Sequence, residues 1–292
     1  NINFFVIKRS PGAGFFSNLL YILLNLKIAE KKKWIPIIDM ENFPTAYNQK
    51  MNIHNVKNVW ELYFKQVSKY SLKEIYKSQN VYFSASKFNF FLNAYKSRKL
   101  KRVFDKYIKI KPNINKTVNP FIKKNFKNYK VTGIHFRGTD QKTSARHAHP
   151  PTIYQITDII DLKLKKDPKH KFFLLTEQLE YHRILIEKYG KSIFSYNFFR
   201  ANSNEEFTNC KRKNHKNRLA FENLVEAITL SKCNEIVYCE TNVSIFSIFY
   251  SNFSIKKIHV NNGFKSSNRF FSLFSWYIFW YFPHTIKNLF SK

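Results

Sequence analysis

Along these 292 residues short apolar runs of strand length alternate with apolar residues at helical spacing, each run closed by a turn signal. Residues 3–8 (NFFVIK) read as a buried strand, Ser10-Pro-Gly-Ala-Gly14 breaks it, residues 18–33 carry helical periodicity, and residues 34–39 (WIPIID) restore a strand. The rhythm returns further on. Strands are expected over 130–136, 171–175, 193–196, 235–238 and 257–260, with helices over 152–166, 181–189, 219–231 and 244–250. Parallel neighbours need crossover connections, so strands alternating with helices give a parallel sheet covered on both faces. The fold class expected is α/β, with two Rossmann-like domains facing a cleft.

Between the two α/β stretches, residues 56–127 read as mostly helical and polar-basic, and Pro, Asn and Lys gather near 119–129. The boundaries that follow are 1–125 for an N-terminal domain, 126–268 for a second α/β domain, and 269–292 for an aromatic, basic C-terminal helix. The polar stretch 201–217 reads as a loop, its KRKNHK run at 211–216 being either solvated or able to close over phosphates.

Charge narrows the partners. Lys+Arg number 50 against 19 Asp+Glu, a formal net charge of +31. Nucleic acid, an anionic membrane face and a phosphate-bearing substrate all suit such a field. The aromatics fall mainly on predicted core faces, whereas bases stack on aromatics exposed along a basic groove, which argues against nucleic acid. Cys210, Cys233 and Cys239 make neither a zinc nor a disulfide pattern and fit a reducing cytosol. No basic segment followed by an apolar run opens the sequence, and no DxD pair is present to hold a metal.

The candidate chemistry lies where strand 130–136 ends. In open parallel sheets ligands bind beyond the carboxyl ends of the strands. Period-two geometry puts His135 and Arg137 on one side of the chain, and Gly138 lets the backbone pass close to a ligand. Arg137 could grip two phosphate oxygens or pair structurally with Asp140, and spacing leaves both open. In the first half Gly12 and Gly14 could cradle a phosphate or only turn the chain. Asn18 could approach a ligand or, with Ser17, cap the helix.

The run His135-Phe-Arg137-Gly-Thr139-Asp140, followed by His149-Pro150, resembles the HxRxTD segment and later His-Pro of the α1,6-fucosyltransferases. Phe173-Leu-Leu-Thr176-Glu177 looks like that family's strand ending in Thr-Asp, and Leu224-Val-Glu226 through Val237 looks like its next helix and strand. Glu240-Thr241-Asn242-Val243-Ser244 resembles its phosphate-contacting turn. The resemblance covers residues 130–252 and implies a GT-B fold and metal-independent, inverting transfer of fucose from GDP-fucose. It gives Arg137 to the β-phosphate, Glu226 to guanine, and Thr241, Asn242 and Ser244 to the diphosphate. His135, Gly138, Thr139 and Thr176 fall on matching donor-side positions.

One position departs from the pattern. The family has a glutamate between HxRxTD and His-Pro, and Ala145 stands there. A general base must then come from elsewhere, with Asp140, Glu177, His147 and His149 as candidates. His149 could equally be a loop histidine holding local backbone, and Glu226 could simply solvate its helix.

The C-terminal run RFFSLFSWYIFWYF packs nine aromatics into residues 270–282. It falls short of the roughly 20 residues that span a bilayer. It could lie at the interface, with Trp276 and Trp280 at headgroup depth, or pack back on the other domain. The reading is a cytoplasmic glycosyltransferase, peripheral to the inner membrane face, whose partners are a nucleotide-sugar donor and a bacterial surface glycan or lipid-linked acceptor. The alternatives are a GT-B transferase with another donor, or a non-catalytic protein that binds nucleic acid or anionic membrane.

Overall fold

The computed structural model describes residues 2–8, 14–49, 56–85 and 92–281. It divides into two compact units, one from Asn1–Asn119 with Lys211–Val225, the other from Pro120–Cys210 with Glu226–Lys292. No shift of composition in the sequence marks residues 211–225 as part of the first unit.

In the first unit β1 (Phe4–Ile7) pairs in parallel with β2 (Ile35–Ile38) on one side and β3 (Val81–Phe83) on the other. Helix α1 (Phe15–Lys32) joins β1 to β2 and buries Leu19, Leu20, Ile22, Leu23 and Leu26. It stops at Lys33, whose left-handed φ of 56° lets its N–H return to the carbonyls of Ala29 and Glu30. The cap at its start is Gly14, without a side-chain bond, so neither Ser17 nor Asn18 caps it. Helices α2 (Leu72–Tyr76), α3 (Arg98–Tyr107) and α4 (Pro112–Asn125) follow. Strand β3 was not expected in a stretch read as helical. It is a three-residue edge strand whose Tyr82 and Phe83 are half exposed, too short to leave a periodicity.

The second unit carries the five strands expected: β4 (Val131–His135), β5 (Lys171–Leu175), β6 (Ile193–Phe194), β7 (Glu235–Tyr238) and β8 (Lys256–His259). All are parallel, in the order β6-β5-β4-β7-β8. Helices α5 (Ile153–Lys166), α6 (Leu179–Tyr189), α7 (Asn204–Asn209), α8 (His215–Leu230), α9 (Asn242–Tyr250) and α10 (Arg269–Tyr281) complete the chain. Helix α7 lies in the stretch expected to be a loop. Ser203 starts it by accepting from the Glu206 N–H.

Alternate residues of β5 point to opposite faces, and each face meets its own layer. Phe172 and Leu174 join Ile134, Phe136, Ile156, Ile160, Tyr181 and Leu185, with the Phe136 and Tyr181 rings stacked 4.1 Å apart. On the other face Phe173 meets the rings of Phe121, Phe194 and Tyr196. Each such ring contributes about 1.5–3 kcal/mol by leaving water. In the middle of β4, a Cβ on Gly133 would fall 2.3 Å from Leu230 Cδ1 and 3.0 Å from Cys233 Sγ, so only glycine lets the end of α8 sit this close to the sheet.

Candidate active site at the end of strand β4

From β4 the chain winds outward through β5 and β6, then returns to the other side of β4 with β7 and β8. The strand order therefore reverses between β4 and β7, and the crevice beyond their carboxyl ends is where such sheets take ligands. His135 closes β4, and Thr241 caps α9 after β7. His135 Nδ1 and Thr241 Oγ1 lie 3.4 Å apart across that point. His135 is fully buried, its Nε2 has no hydrogen-bond partner among the described residues, and burial, with Arg137 adding to it, pushes its pKa down to about 3. The ring is neutral at physiological pH.

Arg137 projects from the loop after β4 with its side chain 24% exposed. Nη2 donates to Asp140 Oδ1 at 2.7 Å, Nε lies 3.1 Å from Glu177 Oε1 without hydrogen-bond alignment, and Nη1 has no protein partner among the described residues. Burial acts to lower the guanidinium pKa, but the Glu177 and Asp140 carboxylates outweigh it and raise it. Arg137 is thus a fixed cation, paired with Asp140 and still open at one nitrogen.

The loop is held in an unusual shape. Thr139 adopts φ 38°, a conformation a β-branched residue rarely takes, at a cost of about 1–3 kcal/mol. Its N–H donates to Gln178 Oε1 at 3.0 Å, and its hydroxyl donates to Glu177 Oε1 at 3.1 Å. Gly138 N–H donates to the same Glu177 oxygen at 2.8 Å. A Cβ at Gly138 would fall 1.9 Å from Gln178 Oε1 and 2.8 Å from Gln178 Cβ. Glycine stands there because Gln178 crosses closely over the loop. Thr176, fully buried, spends its hydroxyl accepting from the Gln178 N–H at 3.2 Å.

At the start of α9 a reciprocal cap forms. Thr241 Oγ1 accepts from Ser244 N–H at 3.2 Å, and Ser244 Oγ accepts from Thr241 N–H at 3.1 Å while donating to Cys239 O at 2.8 Å. Both hydroxyls are therefore occupied by local structure. The N–H groups of Asn242 and Val243 have no protein acceptor among the described residues, and they carry the positive end of the helix dipole.

Asp140 is the most open carboxylate of the group, its side chain 39% exposed, with Oδ1 taken by Arg137. Glu177 is buried and organises the loop. His149 is buried, and burial, then the Lys265 cation, lowers its pKa to about 4. His147 and Ala145 lie in the same loop, where the His147 carbonyl accepts from Lys265 N–H at 2.9 Å. Glu226 forms a buried pair with Arg200, Nη2 to Oε1 at 2.5 Å. In the first unit Asn18 is buried in α1, its amide 3.4 Å from Gly14 O, and Gly12 lies outside the described residues. Arg212 is not in a solvated loop: it grips Glu222 with two bonds of 2.7 and 3.0 Å. Among the described residues no group of three His, Cys, Asp or Glu is placed to hold a metal ion.

Three contributors went unread in the sequence. Gln178 had one signal, its place directly after Thr176-Glu177 at a strand end. Arg200 had one too, a lone cation after the apolar run that leaves β6. Lys265 had none. Its buried amine, lowered by burial to a pKa of about 8, donates to Gln141 O at 2.7 Å and Ala148 O at 3.1 Å, more than a hundred residues away.

The sequence matches no protein-family model and no curated protein. Solved structures do match. NodZ α-1,6-fucosyltransferase co-crystallized with GDP superposes with a TM-score of 0.60 at 14% identity, covering 90% of this chain and 96% of that one. Fucosyltransferase NodZ from Bradyrhizobium gives 0.58 at 14%, covering 87% and 94%. POFUT1 in complex with GDP-fucose gives 0.50 at 10%, covering 89% and 98%. The chain has the α/β, GT-B fold of these fucosyltransferases.

Proposed function

We propose that this chain is a glycosyltransferase that moves fucose from GDP-fucose to an acceptor hydroxyl with inversion, without a metal. The observation that carries the reading is the convergence, at the switch point between β4 and β7, of Arg137 with its open Nη1 and the unpaired N–H groups of Asn242 and Val243. A departing diphosphate needs its developing charge met by fixed donors, and a guanidinium beside a helix start supplies them. The ligands bound in the NodZ and POFUT1 structures, GDP and GDP-fucose, support the choice of nucleotide.

In this reading the β-phosphate docks on Arg137 Nη1 and the start of α9. The backbone N–H groups of Asn242 and Val243 do the work that the resemblance gave to Thr241, Asn242 and Ser244. Asp140 is the base: its Oδ2 takes the proton as the acceptor oxygen attacks the anomeric carbon and the carbon–oxygen bond to GDP breaks. Glu177 positions the loop and does not touch substrate. His135 presents a neutral ring whose Nε2 is ready for a donor oxygen. Glu226, tied to Arg200, is the residue this reading assigns to guanine.

A second reading keeps the chemistry and changes the donor, and Ala145 at the family's glutamate position favours it. A thermal-shift screen of nucleotide sugars separates the two, because a ligand that binds only the folded chain raises its melting temperature. GDP-fucose raising it most supports fucose transfer, whereas a larger rise with a UDP or CMP sugar refutes it. The acceptor proposed is a bacterial surface glycan.

A further inference from the structure

Five residues of α10, namely Phe270, Phe271, Leu273, Phe274 and Tyr277, are exposed by 71, 59, 41, 57 and 51%. At 3.6 residues per turn they span an arc of about 160°. Ser272 and Trp276, 0 and 6% exposed, form the narrow seam that fixes the helix to the second unit. Of the two alternatives the sequence left open for this segment, Trp276 at headgroup depth is not met, since it is buried, and the Trp280 side chain lies outside the described residues. What faces water is on the order of 500 Å² of mostly aromatic surface, a size at which an apolar patch marks an interaction site.

Charge identifies the occupant. No Asp or Glu follows Glu240, while Lys256, Lys257, Lys265, Arg269, Lys287 and Lys292 do. Lys142 Nζ lies 5.9 Å from the Trp276 ring centre, and exposed Arg146 is tied to the segment before α10 by its N–H to Ser266 O at 3.2 Å. A second copy would bring the same carboxylate-free segment to the contact and be repelled. An anionic lipid surface satisfies aromatic face and cations together. With 13 residues α10 falls short of the roughly 20 needed to span a bilayer, and no described helix is long and apolar enough to cross one.

We propose that α10 is an interfacial anchor that lies on an anionic bilayer, with Phe270, Phe271, Phe274 and Tyr277 at the acyl boundary. The anchor is continuous with the site. Lys265 Nζ holds the carbonyls of Gln141 and Ala148, His149 N–H donates to Gly263 O at 2.9 Å, and an open cavity of about 500 Å³ lined by Thr143, Ser144, Ala145 and Leu273 separates the helix from the loop after Arg137. Given the transferase reading above, the acceptor is a lipid-carried glycan, its carrier left in the bilayer and its sugar entering along that cavity.

The test is flotation of the full chain with phosphatidylglycerol–phosphatidylcholine vesicles and with phosphatidylcholine alone. The chain should float with the anionic vesicles only, less so as salt rises, and the F270S/F271S/F274S variant should bind about tenfold or more weakly while its affinity for GDP is unchanged. Equal binding to neutral vesicles, binding that survives the triple substitution, or a dimer in sedimentation that the substitution dissolves would overturn the proposal. A wild-type chain that binds GDP but no vesicles strikes the anchor alone. Absence of GDP binding strikes the transferase reading and leaves the anchor standing.

Discussion

Arg137 Nε lies 3.1 Å from Glu177 Oε1, the oxygen that also accepts from Gly138 N–H and the Thr139 hydroxyl. One buried carboxylate oxygen thus accepts two hydrogen bonds from the loop and places its charge beside the guanidinium that carries the proposed phosphate contact. Glu177→Gln removes its charge and half its accepting capacity. It should cost about 1–3 kcal/mol in a urea melt and weaken GDP binding about tenfold. Unchanged stability and affinity would show that the loop organises itself without Glu177.

Asp140 and Glu177 are both acidic and both touch Arg137, but the geometry gives them different work. Asp140→Asn should lower kcat by about 10²–10⁴ as expected for loss of a general base. GDP affinity should hold or improve, since a carboxylate competing for Arg137 is gone. A variant with full kcat would remove Asp140 from the chemistry.

Gly138→Ala places a methyl group where Gln178 now sits, 2.8 Å from its Cβ, so rotation of the Gln178 amide alone cannot make room. The loop must shift, at about 1–3 kcal/mol. Thermal denaturation should show the lower melting temperature, and the GDP titration of the same variant a weaker site.

Acid should unfold the second unit through two rings. His135 and His149 are held at about 3 and about 4 by burial, both below the unfolded value of about 6.5. The fold therefore favours their neutral forms. That stability is full above about pH 6.5 and is lost as pH falls toward the folded values. His135 alone should account for about 2 kcal/mol between pH 7 and pH 5. Urea melts of His135→Gln should show a shallower pH dependence. An unaltered slope would mean that the ring is not desolvated.

The strands of the second unit were legible because each is an apolar run bounded by turns, and Arg137 stood out as a charge directly after one. Strand β3 was not, since three half-exposed residues carry no period. The uses of Thr176, Thr241 and Ser244 were hidden for another reason. A threonine that caps a helix and one that binds a phosphate are the same letter, and only the third dimension shows where its oxygen is spent. Lys265 was invisible because its partners, Gln141 and Ala148, are joined to it by tertiary contact alone.

In the proposed transfer Arg137 meets the β-phosphate of the donor. Calorimetric titration of the full chain and of Arg137→Ala with GDP and GMP isolates that contact, because the two nucleotides differ only in the phosphate at issue. The wild-type chain should bind GDP at least about tenfold more tightly than GMP, and the alanine variant should bind both alike while keeping its melting temperature within a few degrees. A variant that keeps the wild-type preference for GDP, or a wild-type chain that shows none, would contradict it.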